Sequence, residues 1–295
     1  MDGTRAFSTD GAWLKGALHI HTTVSDGKVS PDQAAAFYRR RGFDFIALTD
    51  HNRLSALCGT PPHGLTVLRG AEWDANSRKQ GKWWHFVALE PDGEEAPRTF
   101  RPELLLEWAR QHCRYIIVAH PYWSNLCGED LCAVAPVDAV EIFNYGCELE
   151  LCRGYSEYPW DYALGRGLHF NGVAADDCHW GHQDAGHSWV MVKAAANEPH
   201  AILHAIRRGL YYSSTGAQII DFRRQDNTFH VRCSPAALVK FICRSYSGGY
   251  VRAKDGHLIE HATYELRGGE VYLRVEVVGR HGEKAWSNPV SLPRR

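Results

Sequence analysis

Histidine is the unusual feature of this 295-residue chain: 17 are present, several beside carboxylates at the ends of apolar runs. His19-Ile20-His21 sets two imidazoles two residues apart, so an extended backbone points both to one face. Asp26 follows within the loop, Asp50-His51 closes a second run, and Glu72 closes a third. His120-Pro121 closes a fifth run, and Asp177-Cys178-His179 a seventh. His85 opens the fourth run rather than closing it, which sets it apart from the others. Taken singly, each has an ordinary structural reading, such as a hydrogen-bonded core histidine, a loop carboxylate or a helix cap. Together they are six imidazoles and three carboxylates directed to one place. Burying that many polar groups without partners costs several kcal/mol each, whereas cations satisfy them at once. Nine donors exceed the capacity of one ion, so two or three divalent ions sharing a carboxylate are expected. Mixed nitrogen and oxygen donors without thiolate suit Zn, Mn or Fe. Such a cluster lowers the pKa of bound water and clamps a phosphoryl or carbonyl oxygen.

The elements that must position these donors alternate. Short apolar runs at 17–21, 43–48, 65–71, 85–89, 115–119, 139–143 and 169–174 read as buried strands. Between them, Ser30-Pro31 opens a helix that Gly42 ends. Pro102 opens another with Leu104, Leu105, Trp108 and Ala109 as its apolar stripe, and a third is expected over 199–208. Alternation of this kind predicts an α/β architecture with parallel strands, a barrel whose active residues gather at the carboxyl ends. After Gly209 the texture turns to β alternation broken by Gly248-Gly249, Asp255-Gly256 and Gly268-Gly269. Residues 12–215 are therefore expected to form the barrel, and 216–295 a small antiparallel β domain.

The ordered motifs HIH (19–21), SDG (25–27), LTDHN (48–52), GAE (70–72), AHP (119–121) and DDCH (176–179) resemble the PHP (polymerase and histidinol phosphatase) superfamily. The resemblance covers residues 14 to about 215. It implies a distorted seven-stranded (β/α) barrel with a dinuclear or trinuclear centre. By this resemblance His19, His21, Glu72 and Asp177 would hold one ion, and His51, Glu72 and His85 a second, with Glu72 bridging. Asp26, His120 and His179 would hold a third. The stretches GLYYSSTG (209–216) and AWSNPV (285–290) further resemble the branch that includes carbaryl-hydrolase-like proteins. That implies a small phosphate ester as substrate first, and a carbamate or carboxylic ester second. Asp177 and Asp50 are the candidate catalytic carboxylates, Asp50 as a group that could orient the His51 ring. Asn144, Arg207 and His182 are candidate substrate contacts.

Lys+Arg 33 against Asp+Glu 34 leaves a net charge of -1, so no global field recruits nucleic acid or an anionic membrane. No run of eighteen apolar residues predicts a membrane span. The opening MDGTRAFSTDGAW lacks the basic and apolar regions of a secretory signal, and the nine cysteines contain no CxxC pair. A reducing, cytoplasmic location is expected. The readings are thus a phosphoesterase, a carbamate or carboxylic ester hydrolase on the same centre, or a non-catalytic metal-binding scaffold. Oligomeric state is not readable.

Overall fold

The computed structural model describes residues 2–77, 81–92 and 96–293. Its first nine strands are β1 (Ala12–Ala17), β2 (Phe45–Leu48), β3 (Thr66–Ser77), β4 (Lys82–Leu89), β5 (Tyr115–Val118), β6 (Ala139–Asn144), β7 (Asn171–Ala175), β8 (Trp189–Ala194) and β9 (Tyr211–Ser214). Helices α1 (Arg5–Ser8), α2 (Pro31–Arg40), α3 (Pro102–His112), α4 (Gly128–Ala133), α5 (Tyr145–Leu151), α6 (Glu157–Gly165) and α7 (Pro199–Arg207) lie between and around them. No helix among the described residues is long and apolar enough to cross a membrane.

Local chemistry explains the helix starts. At α2 the Ser30 hydroxyl accepts from Gln33 N, the Gln33 side chain accepts from Ser30 N, and Pro31 occupies the first turn. In α3 the buried face is Leu105, Leu106 and Ala109, while Leu104, expected in the stripe, is 41% exposed. Three successive leucines span too wide an arc for one face, and the 102–106 and 105–109 spacings decide which turn inward.

The strands depart from the expected parallel barrel. β1, β2 and β3 pair in parallel, as do β5, β6 and β7, but β4 runs antiparallel to both β3 and β5. Only residues 78–81 join Ser77 to Lys82, and a parallel crossover needs about a dozen residues or more, so β4 must turn back. On the far side of β1, β8 and β9 are also antiparallel. The sheet is not closed: it runs β7-β6-β5-β4-β3-β2-β1-β8-β9 and continues outward. Its two limbs meet just past the strand ends, where Ile20 and Cys178 form an isolated bridge. There His21 N donates to Cys178 O at 3.1 Å, and Asp177 N to His19 O at 3.1 Å. The first strand therefore lies earlier than the run 17–21 suggests, and His19–His21 sit on the extended chain beyond it.

Beyond residue 216 come β10 (Ile219–Gln225), β11 (Thr228–Ile242), β12 (Gly248–Arg252), β13 (Ile259–Glu265), β14 (Tyr272–Gly279), β15 (Lys284–Ser287) and β16 (Val290–Ser291). They are antiparallel as expected, and they extend the same sheet, because β15 pairs with β9. Side chains also lock this region to the rest. Buried Trp286 stacks on Phe143 at 5.8 Å and donates from Nε1 to Glu157 Oε1 at 2.6 Å. Buried Arg274 donates to both Asp161 oxygens at 2.7 and 2.6 Å.

Trp286 lies in one apolar cluster with Phe143 and Trp160, so Trp286→Ala is expected to cost about 3–5 kcal/mol. Denaturant unfolding followed by fluorescence and far-ultraviolet dichroism checks this. A loss below about 1 kcal/mol would mean that the C-terminal strands are not coupled to the core through this ring.

Candidate metal centre

The donors come from loops that follow β1, β2, β5 and β7 and from the interiors of β3 and β4. His85 reaches the same end because β4 is reversed: its register sets His85 opposite Asp74, close after Glu72. Two donors sit on strained backbone, His120 at φ 29° and Asp177 at φ 52°, conformations that non-glycine residues adopt at a cost.

Three overlapping groups result: His19, His21, Glu72 and Asp177; His51, Glu72 and His85; and His21, Asp26, His51 and His179. In the first, His19 Nε2 lies 3.1 Å from His21 Nε2, 3.4 Å from Glu72 Oε2 and 3.2 Å from Asp177 Oδ1. His21 Nε2 lies 3.3 Å from Glu72 Oε2 and 3.0 Å from Asp177 Oδ1. A tetrahedral ion with bonds of about 2.0–2.1 Å holds its donors roughly 3.3 Å apart, so these separations would suit such a shell. Glu72 Oε1 lies 2.8 Å from His85 Nδ1 and 3.1 Å from His120 Nε2, and Oε2 lies 3.0 Å from His51 Nδ1. Asp26 is the exposed member, 3.4 Å from His179 Nε2, 3.5 Å from His21 Nδ1 and 3.8 Å from His51 Nε2.

A second layer fixes the rings. Glu141 Oε1 is 2.7 Å from His19 Nδ1, which leaves Nε2 facing the other donors. Glu141 Oε2 accepts from His120 N and from Asn144 Nδ2, each at 2.9 Å. Ser124 Oγ lies 2.9 Å from His120 Nδ1, turning its Nε2 toward Glu72.

Burial alone would raise the Glu72 and Asp177 carboxyls, yet the surrounding imidazoles hold both well below the usual range. Burial alone would depress His19, His21 and His120, yet the carboxylates hold all three up. His179 is raised to about 9, because its contact with Asp26 and the nearby Asp177 outweigh burial. Protons on these rings thus balance buried negative charge that cations would balance in their place. Four buried atoms, His21 Nδ1, Glu72 Oε2, His85 Nε2 and Asp177 Oδ1, have no hydrogen-bond partner. Donor set, spacing and orphaned atoms all fit divalent ions.

Several expected roles change. His120, read with Asp26 and His179, lies against Glu72 and the His85 ring instead, at 5.0 Å between ring centres. Asp50 does not serve the His51 ring. Its oxygens accept from Thr22 N and Oγ1, Ser25 N and Oγ, and Ser55 Oγ, so it pins the loop that carries Asp26. Asn144 is buried behind the donors, giving one Nδ2 bond to Glu141 and another, of 3.0 Å, to Asp177 Oδ2. Arg207 is exposed at the end of α7 and acts on Asp138, which precedes β6, so it lies by the opposite ends of the strands. His182 does line the cavity, with Lys28, Trp123, Cys147 and Glu150 among its other walls. Trp73 and Trp84 are core residues, whereas the Trp123 ring stands 4.9 Å from that of His120. Sequence reasoning missed Glu141, although a lone carboxylate inside the apolar run AVEIF was a readable signal.

No family model matches the chain. An uncharacterized protein of Methanocaldococcus jannaschii is 26% identical over 144 residues, covering 44% of this chain and 82% of that protein. Among solved structures, the fold is similar to a two-domain protein of Bacteroides vulgatus containing a predicted PHP-like metal-dependent phosphoesterase, at TM-score 0.52 and 14% identity over 96% of each chain. An amidohydrolase of Chromobacterium violaceum, with bound sulfate and no metal, matches at TM-score 0.41 and 15% identity over 58% of this chain and 90% of its own. The Bacteroides match is a likeness of fold alone.

If Glu141 sets the His19 ring, Glu141→Gln should weaken divalent-ion binding about 10–100-fold, and Glu72→Gln should lower the number of ions bound. Titration calorimetry with elemental analysis of dialysed protein measures both. Wild-type affinity in the Glu141 variant would contradict the arrangement.

Proposed function

We propose that this chain is a metal-dependent hydrolase of small phosphate esters, working with two or three divalent ions of Zn, Mn or Fe. The observation that carries this reading is Glu72, a buried carboxylate common to two donor groups, whose Oε2 lacks a hydrogen-bond partner, as does the neighbouring Asp177 Oδ1. His19, His21, Glu72 and Asp177 would hold one ion, and His51, His85 and His120 a second with Glu72 between them. Asp26 and His179 would serve a third, beside the nitrogens of His21 and His51 that face Asp26. Bound ions of this kind supply Lewis acidity and acidify water near neutral pH.

The chain's own residues do the rest. Glu141 and Ser124 hold the His19 and His120 rings, and Asp50 holds the loop of Asp26. A cavity of about 410 Å³, walled in part by Trp123 and His182, opens on the donors and has room for a small substrate. A protein nucleophile has little support. Cys178 is buried with its thiol 3.2 Å from Tyr38 Oη, and burial first, then Asp176, pushes its pKa well up. Cys147 lines the cavity, but burial and the Asp177 charge keep it a thiol. Ser124, beside the His120 ring, is fully buried and is not part of the cavity wall. Water is therefore the nucleophile in this reading. The fold is similar to that of a protein containing a predicted PHP-like metal-dependent phosphoesterase, which favours phosphorus over carbon as the centre attacked in this reading. A reducing cytoplasmic location fits nine cysteines that are all free.

Phosphate release from a small ester such as propyl phosphate should vanish after chelation, return with Mn, Fe or Zn, and survive Cys178→Ala. Hydrolysis that persists without metal would overturn the reading. Carbamate or carboxylic ester turnover with no phosphate release would replace it with the carbon-centred one.

A further inference from the structure

Lys28 brings to the cavity wall a lysine ammonium that neither the donor set nor the fold uses. It follows Asp26 by two residues, and its backbone N–H donates to His179 O at 3.1 Å, so its Cα is pinned between two candidate donors. The turn beneath it is tight. A Cβ on Gly27 would lie 2.6 Å from His21 C and O, so only glycine fits there, and Asp50 ties down Thr22 and Ser25. The Lys28 amine lies over Gly181, where a Cβ would come within 3.0 Å of Nζ. The ammonium thus rests beside bare backbone at the cavity wall. Among the described residues no carboxylate lies within 4.0 Å of Nζ; Asp184, also in the wall, is occupied by the N–H groups of His179 and Trp180. An exposed lysine ordinarily wanders in solvent, but the backbone of this one is pinned beside the candidate donors, where bound ions would draw an anion.

We infer that Lys28 binds a second anionic group of the substrate, so that the preferred phosphate ester carries a carboxylate or a further acidic group beyond the scissile bond. This rests on the phosphoester reading above. The substrate's phosphate would sit at the ions and its distal anion at Nζ. Glu150, which lines the same cavity from α5, repels a distal anion and so favours one orientation.

Binding of two non-hydrolysable ligands of equal chain length, butylphosphonate and 4-phosphonobutyrate, to the metal-loaded protein tests this without turnover. The wild type should prefer 4-phosphonobutyrate about fivefold, the upper end for an ion pair that solvent reaches. Lys28→Met should bring the ratio to about one, and Gly181→Val, which displaces the amine, should lower it in the same direction. Equal binding of the two ligands by the wild type, or a preference kept by Lys28→Met, overturns the role of Lys28 and leaves the phosphoester site standing. Failure to bind either phosphonate overturns both.

Discussion

A carboxylate with no exposure to solvent, Glu72, is surrounded by the rings of His19, His21, His51, His85 and His120, each within 3.4 Å of one of its oxygens. The rest of the site follows from keeping that buried charge ionised. Imidazoles alone do this by taking up protons, which is why burial fails to depress His19 and His120. Protonated rings repel one another, and at 3.1 Å His19 Nε2 and His21 Nε2 are too close to carry charge together. Divalent ions would remove that conflict, with the rings as neutral donors and the carboxylates keeping their charge. Glu141 then has an evident purpose, since it fixes the outer nitrogen of the His19 ring.

The sheet exists, functionally, to deliver these groups at one end. Parallel strands do so by their carboxyl ends, and β4 does so by its beginning, because the short link after β3 reverses it. The bridge between Ile20 and Cys178 draws the two limbs of the open sheet together, bringing His19 and His21 onto Asp177. Strained backbone at His120 and Asp177 is held in place by hydrogen bonds from His120 N to Glu141 and from Asp177 N to His19 O.

Much of this was readable in the chain. Period-two geometry set His19 and His21 on one face, and the apolar runs located most strands. Two of the three donor groups coincide with those the family resemblance implied. What escaped had identifiable causes. Strand direction depends on link length, and ignoring the brevity of 78–81 made His85 look misplaced. Neighbours in sequence are not neighbours in space: Asp50 is adjacent to His51 yet turns to Thr22, Ser25 and Ser55. Arg207 has the right chemistry for phosphate, but the helix that carries it ends at the wrong end of the strands. Closure of a barrel is a property of the whole sheet, and here β8 and β9 continue it outward instead.

The most direct measurement is anomalous X-ray diffraction from crystals of protein loaded with Mn, Fe or Zn, collected on both sides of the metal's absorption edge. The account predicts at least two peaks, one among His19, His21, Glu72 and Asp177 and one among His51, Glu72 and His85. Loaded crystals with no peak beside Glu72, or with a single ion bound away from these groups, would contradict it.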